Sequence, residues 1–311
     1  MHKEELVACH ARIAPYIHRT EVLSSRLINA YVGAEVFFKC ENFQRGGAYK
    51  MRGATNAIMQ LGEQERSKGV VTHSSGNFAQ AVSLAAQSLG VTAHIVMPTT
   101  APKVKKVGVR QYNGRIYECE PTLEARQEMA DRIARETGAV FLHPSNQWEV
   151  ILGQGTAAME LFEDHPDLNA LFCPVGGGGL IAGSALAAQY FATDCKVNGG
   201  EPYEADDAYR SLQSGKIEGN ETVNTIADGL KTTLGDVNFP IIKEYVAGIT
   251  RVTEEEIISA MRLVWERMKI IIEPSSAVTL AALISEKAAF QNQKVGIVIS
   301  GGNVDLDHLP F

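Results

Sequence analysis

Residues 169–191 read "NALFCPVGGGGLIAGSALAAQYF". "NALFCPV" is a short apolar run of strand character, and "LIAGSALAAQYF" is long and apolar enough for a buried helix. Four glycines, Gly176, Gly177, Gly178 and Gly179, join the two. A strand that passes directly into a helix is half of a strand–helix–strand unit, and such units build parallel sheet. The alternation continues in both directions. Upstream, "EVFFKCE", "GVVTHSS", "AHIVMP", "RIYECE" and "AVFLHP" have strand character. They are separated by a helix starting at Lys50, by "FAQAVSLAAQSLG", by "PKVKKVGVRQYNG" and by "TLEARQEMADRIARETG". Downstream, "EEEIISAMRLVWERM" and "SSAVTLAALISEK" have helical periodicity, and "KVGIVISGG" is the last strand. The pattern predicts an α/β fold whose parallel sheet is covered by helices on both faces. No proline- or glycine-rich hinge divides the chain, so two domains would have to be interleaved.

The 311 residues carry a net charge of -7, with 45% hydrophobic and 21% charged residues. That balance is globular, and the absence of a long basic run argues against nucleic acid as a partner. The apolar stretches are too short and interrupted to span a bilayer. The N-terminal "MHKEELVACHARIAP" is charged and helix-like, without the apolar block of a signal peptide. Cys9, Cys40, Cys119, Cys173 and Cys195 are dispersed, without CxxC spacing. An odd, scattered count fits reduced thiols and predicts a cytoplasmic protein.

Ligands of open α/β sheets bind beyond the carboxyl ends of the strands, so the loops after strands carry the chemistry. Gly176–Gly179 leave backbone amides bare at a helix N-terminus, which suits a phosphate; the alternative is a flexible turn. The spacing is neither that of a dinucleotide fingerprint nor that of a P-loop. "HSSGNFAQ" at 73–80 places Ser74, Ser75 and Asn77 where they can seat a carboxylate, or simply cap a helix. "SGGNVD" at 300–305 repeats that choice, with Ser300 able to bond a ring nitrogen. "GGEPYEADD" at 199–207, taken as a loop, groups Glu201, Asp206 and Asp207, which suits a hard cation or plain solvation. Finally, "CENFQRGGAYKMRGA" at 40–54 sets Lys50 at the mouth of an apolar helix. A lysine there either snorkels to water or has a buried task for its amine.

An imine-forming lysine, a phosphate cup and a carboxylate seat together suggest pyridoxal phosphate (PLP) acting on an amino acid. In order and detail the chain resembles the fold-type II PLP enzymes, and within them the serine racemase and serine/threonine dehydratase group. The likeness runs from "HRTEVLSS" through "FFKCENFQ", "THSSGN", "VMPTTAPKVKK", "GQGTAAME", "PVGGGGLIAG", "EPYEADDAYRS", "TIADGLK" and "VWERMKIIIEPSSA" to "SGGNVDL". The resemblance implies two interleaved domains, each with a largely parallel sheet. Residues 1–68 plus 147–311 would form the large cofactor domain, and 69–146 a small mobile one. It implies that Lys50 bonds the cofactor, Gly176, Gly177, Gly178 and Gly179 hold its phosphate, Asn77 meets its 3-hydroxyl and Ser300 its ring nitrogen. Ser74 and Ser75 would seat the substrate carboxylate, with Ser75 delivering a proton on the face opposite Lys50. Glu201, the carbonyl of Ala205 and Asp207 match the family's Mg²⁺ or Ca²⁺ site, and a homodimer is implied.

Several departures bear on the substrate. Phe78 stands where the family usually has histidine, Gly46 and Gly47 replace bulkier residues, and "HPSNQWE" at 143–149, which includes Ser145, is unusual. Arg126 aligns with an arginine beside the racemases' substrate pocket; it is otherwise a solvated helix residue. A second substrate carboxylate, as in aspartate or 3-hydroxyaspartate, would give Arg126 a partner. The expected activity is serine/threonine dehydration with serine racemisation. The alternatives are a 3-hydroxyaspartate dehydratase or aspartate racemase, and, from other classes, a nucleotide-binding oxidoreductase or a non-catalytic cofactor-binding protein.

Overall fold

The computed structural model describes residues 2–101 and 103–311; Met1 and Pro102, which begin two of the segments quoted above, lie outside them. Ten strands are found among the described residues. In chain order they are β1 (Val22–Leu23), β2 (Glu35–Cys40), β3 (Val70–His73), β4 (Ala93–Pro98), β5 (Arg115–Cys119), β6 (Val140–Phe141), β7 (Ala170–Pro174), β8 (Lys196–Pro202), β9 (Val246–Val252) and β10 (Lys294–Ile299). They form two sheets, β1-β2-β10-β7-β8-β9 and β5-β4-β3-β6. Only β1 pairs antiparallel, against β2. β10 lies between β2 and β7 with Ile297 opposite both Phe38 and Phe172. The four-stranded sheet is parallel throughout and takes all its strands from residues 70–141. The six-stranded sheet draws on residues 22–40 and 170–299.

Strands β3, β4 and β7 are buried at every residue, which explains why they read as continuous apolar runs rather than as alternating ones. One apolar cluster spans both sheets and includes Met51, Phe78, Ile95, Leu171 and Val298. Each such side chain contributes about 1.5–3 kcal/mol when withdrawn from water. The Lys50–Gln60, Trp148–Asp164 and Gly179–Phe191 helices pack in series, the middle one against the other two. They touch backbone to backbone: a Cβ on Gly153 would sit 2.5 Å from Gly53 Cα, and one on Gly155 2.6 Å from Gly183 O. Glycine therefore sets how closely the lysine-bearing helix approaches the Trp148–Asp164 helix, and that helix the Gly179–Phe191 one.

One sequence expectation changes, and one strand was not anticipated. Gly199–Pro202, taken as a loop, belong to β8, which pairs with β7 and β9. Gly199 and Gly200 carry no side chain because Ile249, Val175 and Val278 occupy the space a Cβ would need. The glycine pair thus hides a buried strand. β9, "VAGITRV", also has no clear strand signal, since only Ile249 and Val252 of its seven residues are buried.

Candidate active site

The carboxyl ends of β2, β10 and β7 are neighbours in the large sheet, so the segments after them converge. After β2 the chain turns at Gly46 and Gly47, both with φ of 73°, and enters the Lys50 helix. The entry is pinned to the end of β10, because Tyr49 N donates to Ser300 O (3.0 Å) and Asn303 Nδ2 donates to Gly46 O (2.8 Å). Lys50 is half-buried, with Nζ donating to Pro144 O (3.2 Å) and lying 5.8 Å from the Phe78 ring centre. Burial drives the Lys50 amine down to about 8, with the Glu273 carboxylate opposing. A substantial neutral fraction is what a nucleophilic or proton-accepting lysine requires.

The glycine loop is a rigid cradle rather than a flexible turn. A Cβ on Gly176 would meet Leu230 Cα at 2.8 Å, Gly178 has φ of 79°, and Gly177 leaves no room beside Ser145 Oγ. Among the described residues, the amides of Gly176, Gly177 and Gly178 donate no backbone hydrogen bond. Bare amides in a cradle that excludes side chains, at the start of the Gly179–Phe191 helix, fit a phosphate.

The 73–78 loop comes from the other sheet. The helix starting at Asn77 takes no side-chain cap, so the capping alternative for Ser74 and Ser75 does not hold. Ser74 Oγ accepts from Gly76 N (3.3 Å), and Ser75 is half-buried at the mouth. Asn77 Nδ2 reaches both Glu273 oxygens (2.9 and 3.0 Å), and Asn77 Oδ1 accepts from Asn303 Nδ2 (3.0 Å). Phe78 is buried in the core. Ser300, also buried, shares a hydrogen bond with Ser276 Oγ (3.0 Å).

Sequence reasoning passed over Glu273. It is 3% exposed, and burial and then the charge of Asp228 push its carboxyl up to about 7 against the Asn77 hydrogen bond. Its signal was a lone acid inside the apolar run "IIIEP", just ahead of a buried helix. Arg126 is half-buried; its Nε turns back to Thr122 O (3.2 Å), and it has no carboxylate partner among the described residues. Its charge helps to hold the His73 imidazole below its ordinary range, where burial is the main cause.

The acidic group divides. Asp206 pairs with Arg210 (2.7 Å) and Arg251 (2.8 Å), and these cations hold it below its ordinary range although burial opposes them. Glu201 and Asp207 are fully buried, and neither forms an ion pair among the described residues, although the Arg210 charge acts on Asp207. Glu201 accepts from the amides of Ala208 (3.1 Å) and Tyr209 (2.8 Å), and Asp207 Oδ2 from Leu234 N (3.0 Å). Burial pushes Asp207 up to about 6, and burial with the Asp207 charge raises Glu201 well above the carboxylate range. Asp207 Oδ1 is buried without any partner, and the Ala205 backbone lies in the turn between the two acids. An orphaned carboxylate oxygen fits a cation. No cluster of three or more His, Cys, Asp or Glu is arranged for a metal among the described residues.

Beneath the site, Arg52 is fully buried two residues after Lys50. It donates to Glu41 (Nε and Nη2, each 2.8 Å) and to Glu160 (Nη1 and Nη2, each 2.8 Å). Lys39 and His10 also reach Glu160 (2.6 and 2.9 Å), while Thr20 donates to Glu41 (2.6 Å).

The family model for pyridoxal-phosphate dependent enzymes matches residues 13–301. The chain belongs to that family. It is 46% identical over 308 residues to a beta-hydroxyaspartate dehydratase of Paracoccus denitrificans, covering 99% of this chain and 98% of that one. It is 49% identical over 310 residues to a serine racemase of Dictyostelium discoideum, covering 98% and 96%. The solved structure of maize serine racemase superposes with a TM-score of 0.96 at 45% identity, covering 98% of this chain and 94% of the other. Among the described residues of this PLP-dependent enzyme, no helix is long and apolar enough to cross a membrane.

Proposed function

We propose that this enzyme is a serine/threonine dehydratase that also racemises serine. The observation that carries the reading is the half-buried Lys50 amine, lowered by burial and set where the strand ends of both sheets meet beside the glycine cradle. Gly176–Gly179 would hold the PLP phosphate with backbone amides, Asn77 would meet the 3-hydroxyl and Ser300 the ring nitrogen. Bound PLP supplies an electron sink for the negative charge left at the substrate's α-carbon. Ser74, Ser75 and the amides around them would seat the substrate carboxylate. Lys50, when neutral, takes the α-proton on one face, and Ser75 returns or removes a proton on the other. Loss of a β-hydroxyl as water leaves an enamine, whose imine tautomer is hydrolysed by a second water to a keto acid and ammonia; reprotonation on the second face instead inverts the centre.

Residues 69–146 would move as a unit over the cleft, since their sheet meets the large one at the active-site loops. Glu201, the Ala205 carbonyl and Asp207 would hold Mg²⁺ or Ca²⁺, as the orphaned Asp207 oxygen suggests. The enzyme would act on small amino acids as a homodimer in the cytoplasm, where its five buried cysteines stay reduced. The test is a panel of L- and D-serine, L-threonine, aspartate and 3-hydroxyaspartate, scored for keto acid and for enantiomer. Keto acid and D-serine from L-serine are expected; inertness toward serine and threonine refutes the reading.

One observation favours a second reading, dehydration of 3-hydroxyaspartate or racemisation of aspartate. Arg126 has no carboxylate partner among the described residues and could take the substrate's second one. In the same panel, Arg126→Ala would then depress turnover of the diacids and spare serine.

A further inference from the structure

His143 follows β6 and belongs to neither sheet. Its Nδ1 accepts from the backbone N–H of Ser145 (3.2 Å) and of Asn146 (2.8 Å). A ring nitrogen that accepts carries no proton, so the imidazole hydrogen sits on Nε2. Gln147 Oε1 closes the same turn by accepting from His143 N (3.0 Å). The turn makes three contacts. Pro144 O accepts from Lys50 Nζ (3.2 Å). Ser145 occupies the space beside Gly177 and Gly179, and its carbonyl accepts from Asn238 Nδ2 (3.3 Å), which also donates to Gly177 O (2.8 Å). Asn146 Oδ1 accepts from Val237 N (2.9 Å) and Asn238 N (3.2 Å).

We propose that His143 is a positioning residue for the reaction, its Nδ1 holding the 143–147 turn that seats the Lys50 amine, once released from the cofactor, against Pro144 and walls the glycine cradle with Ser145. The ring touches no reacting atom; it acts through the turn. The titratable groups facing it are His73 on β3, Lys50 on its helix and Asp236 on the turn before Asn238. Burial, then His73 and Lys50, hold the imidazole down to about 4 against the pull of Asp236, so the accepting lone pair is present at neutral pH.

The experiment compares His143→Leu with His143→Asn in the full-length holoenzyme. The Asn Oδ1 can accept from the same two amides; leucine cannot. The readouts are the rate of PLP release on dilution, followed by visible absorbance, the melting temperature, and kcat and KM for the best substrate. His143→Leu is expected to lower kcat about a hundredfold, since a misplacement of ~1 Å has that cost, with KM changed less than about threefold, and to speed PLP release. His143→Asn is expected to stay within about fivefold of the parent on both. A leucine variant that loses melting temperature alone, or an asparagine variant no better than leucine, overturns the proposal. Should the leucine variant not fold, asparagine decides: a loss within about fivefold supports the proposal and one near a hundredfold overturns it. The inference rests on Lys50 as the cofactor-bonded lysine. A coloured, active Lys50→Ala protein refutes that reading, whereas an unaffected His143→Leu refutes only the role of His143.

Discussion

Replacing Arg52 with methionine should destabilise the enzyme by about 4 kcal/mol, because breaking a buried ion pair from one side typically costs 3–5 kcal/mol. All four guanidinium contacts to Glu41 and Glu160 come from a side chain with no exposed surface. Glu160 would keep Lys39 and His10, but among the described residues Glu41 would keep only Thr20 and a long contact to Gln44 (3.4 Å). The stranded charge is therefore mainly that of Glu41. At ~2.1 cal/mol/K per residue, unfolding 311 residues carries ~0.65 kcal/mol/K, so ~4 kcal/mol lowers Tm by ~6 °C. Calorimetry of the holoenzyme at neutral pH reads this directly. The pH dependence has a definite sign. Burial would raise the Glu160 carboxyl, but hydrogen bonds from His10 and Arg52 and the charges of Arg52 and Lys39 hold it well below its ordinary 4.5. A depressed acid contributes stability that is present above its unfolded pKa and lost as pH falls toward the folded one. The gap between parent and variant should thus narrow as pH is taken from about 5 toward about 3. A Tm loss below ~2 °C at neutral pH, or a gap that widens on acidification, would refute the reasoning.

Three further outcomes are expected. Lys50→Ala should lose the cofactor's visible absorbance and turnover together; a variant that keeps both removes the lysine from the mechanism. Ser75→Ala should lower the ratio of D-serine to pyruvate formed from L-serine, because inversion needs the second face and elimination needs it less; an unchanged ratio means another group delivers that proton. Chelation should lower Tm, with Mg²⁺ or Ca²⁺ restoring it by mass action, if Glu201 and Asp207 hold a cation; superimposable melting curves with and without chelator contradict the site.

Local signals in the chain were enough to mark most of the elements and to single out several candidate site residues. Apolar runs of strand and helix length gave β7 and the Gly179–Phe191 helix, and the four glycines between them could be read as an anion cradle because no side chain covers their amides. Lys50 stood out because a lysine before an apolar helix is costly without a task. What adjacency in sequence cannot convey is which loops meet. β10 inserts between β2 and β7, pairing Ile297 with Phe38, and only that long-range pairing brings Ser300 beside the entry to the Lys50 helix. Glu273 and Asn77 lie 196 residues apart, so their hydrogen bond had no local trace. "HPSNQWE" at 143–149 stood out as unusual, but the bonds of His143 go to backbone amides, which every sequence contains, so its contacts had no local signal. The glycines of β8 hid a strand because the bulk that fills their place belongs to Ile249, Val175 and Val278. Asp206 and Asp207 are neighbours in the chain, yet one faces two arginines and the other is buried with an unpartnered oxygen. The sequence determined which residues are able to do chemistry; the tertiary structure decided which charges are paired and which are left over, because pairing depends on distance in space.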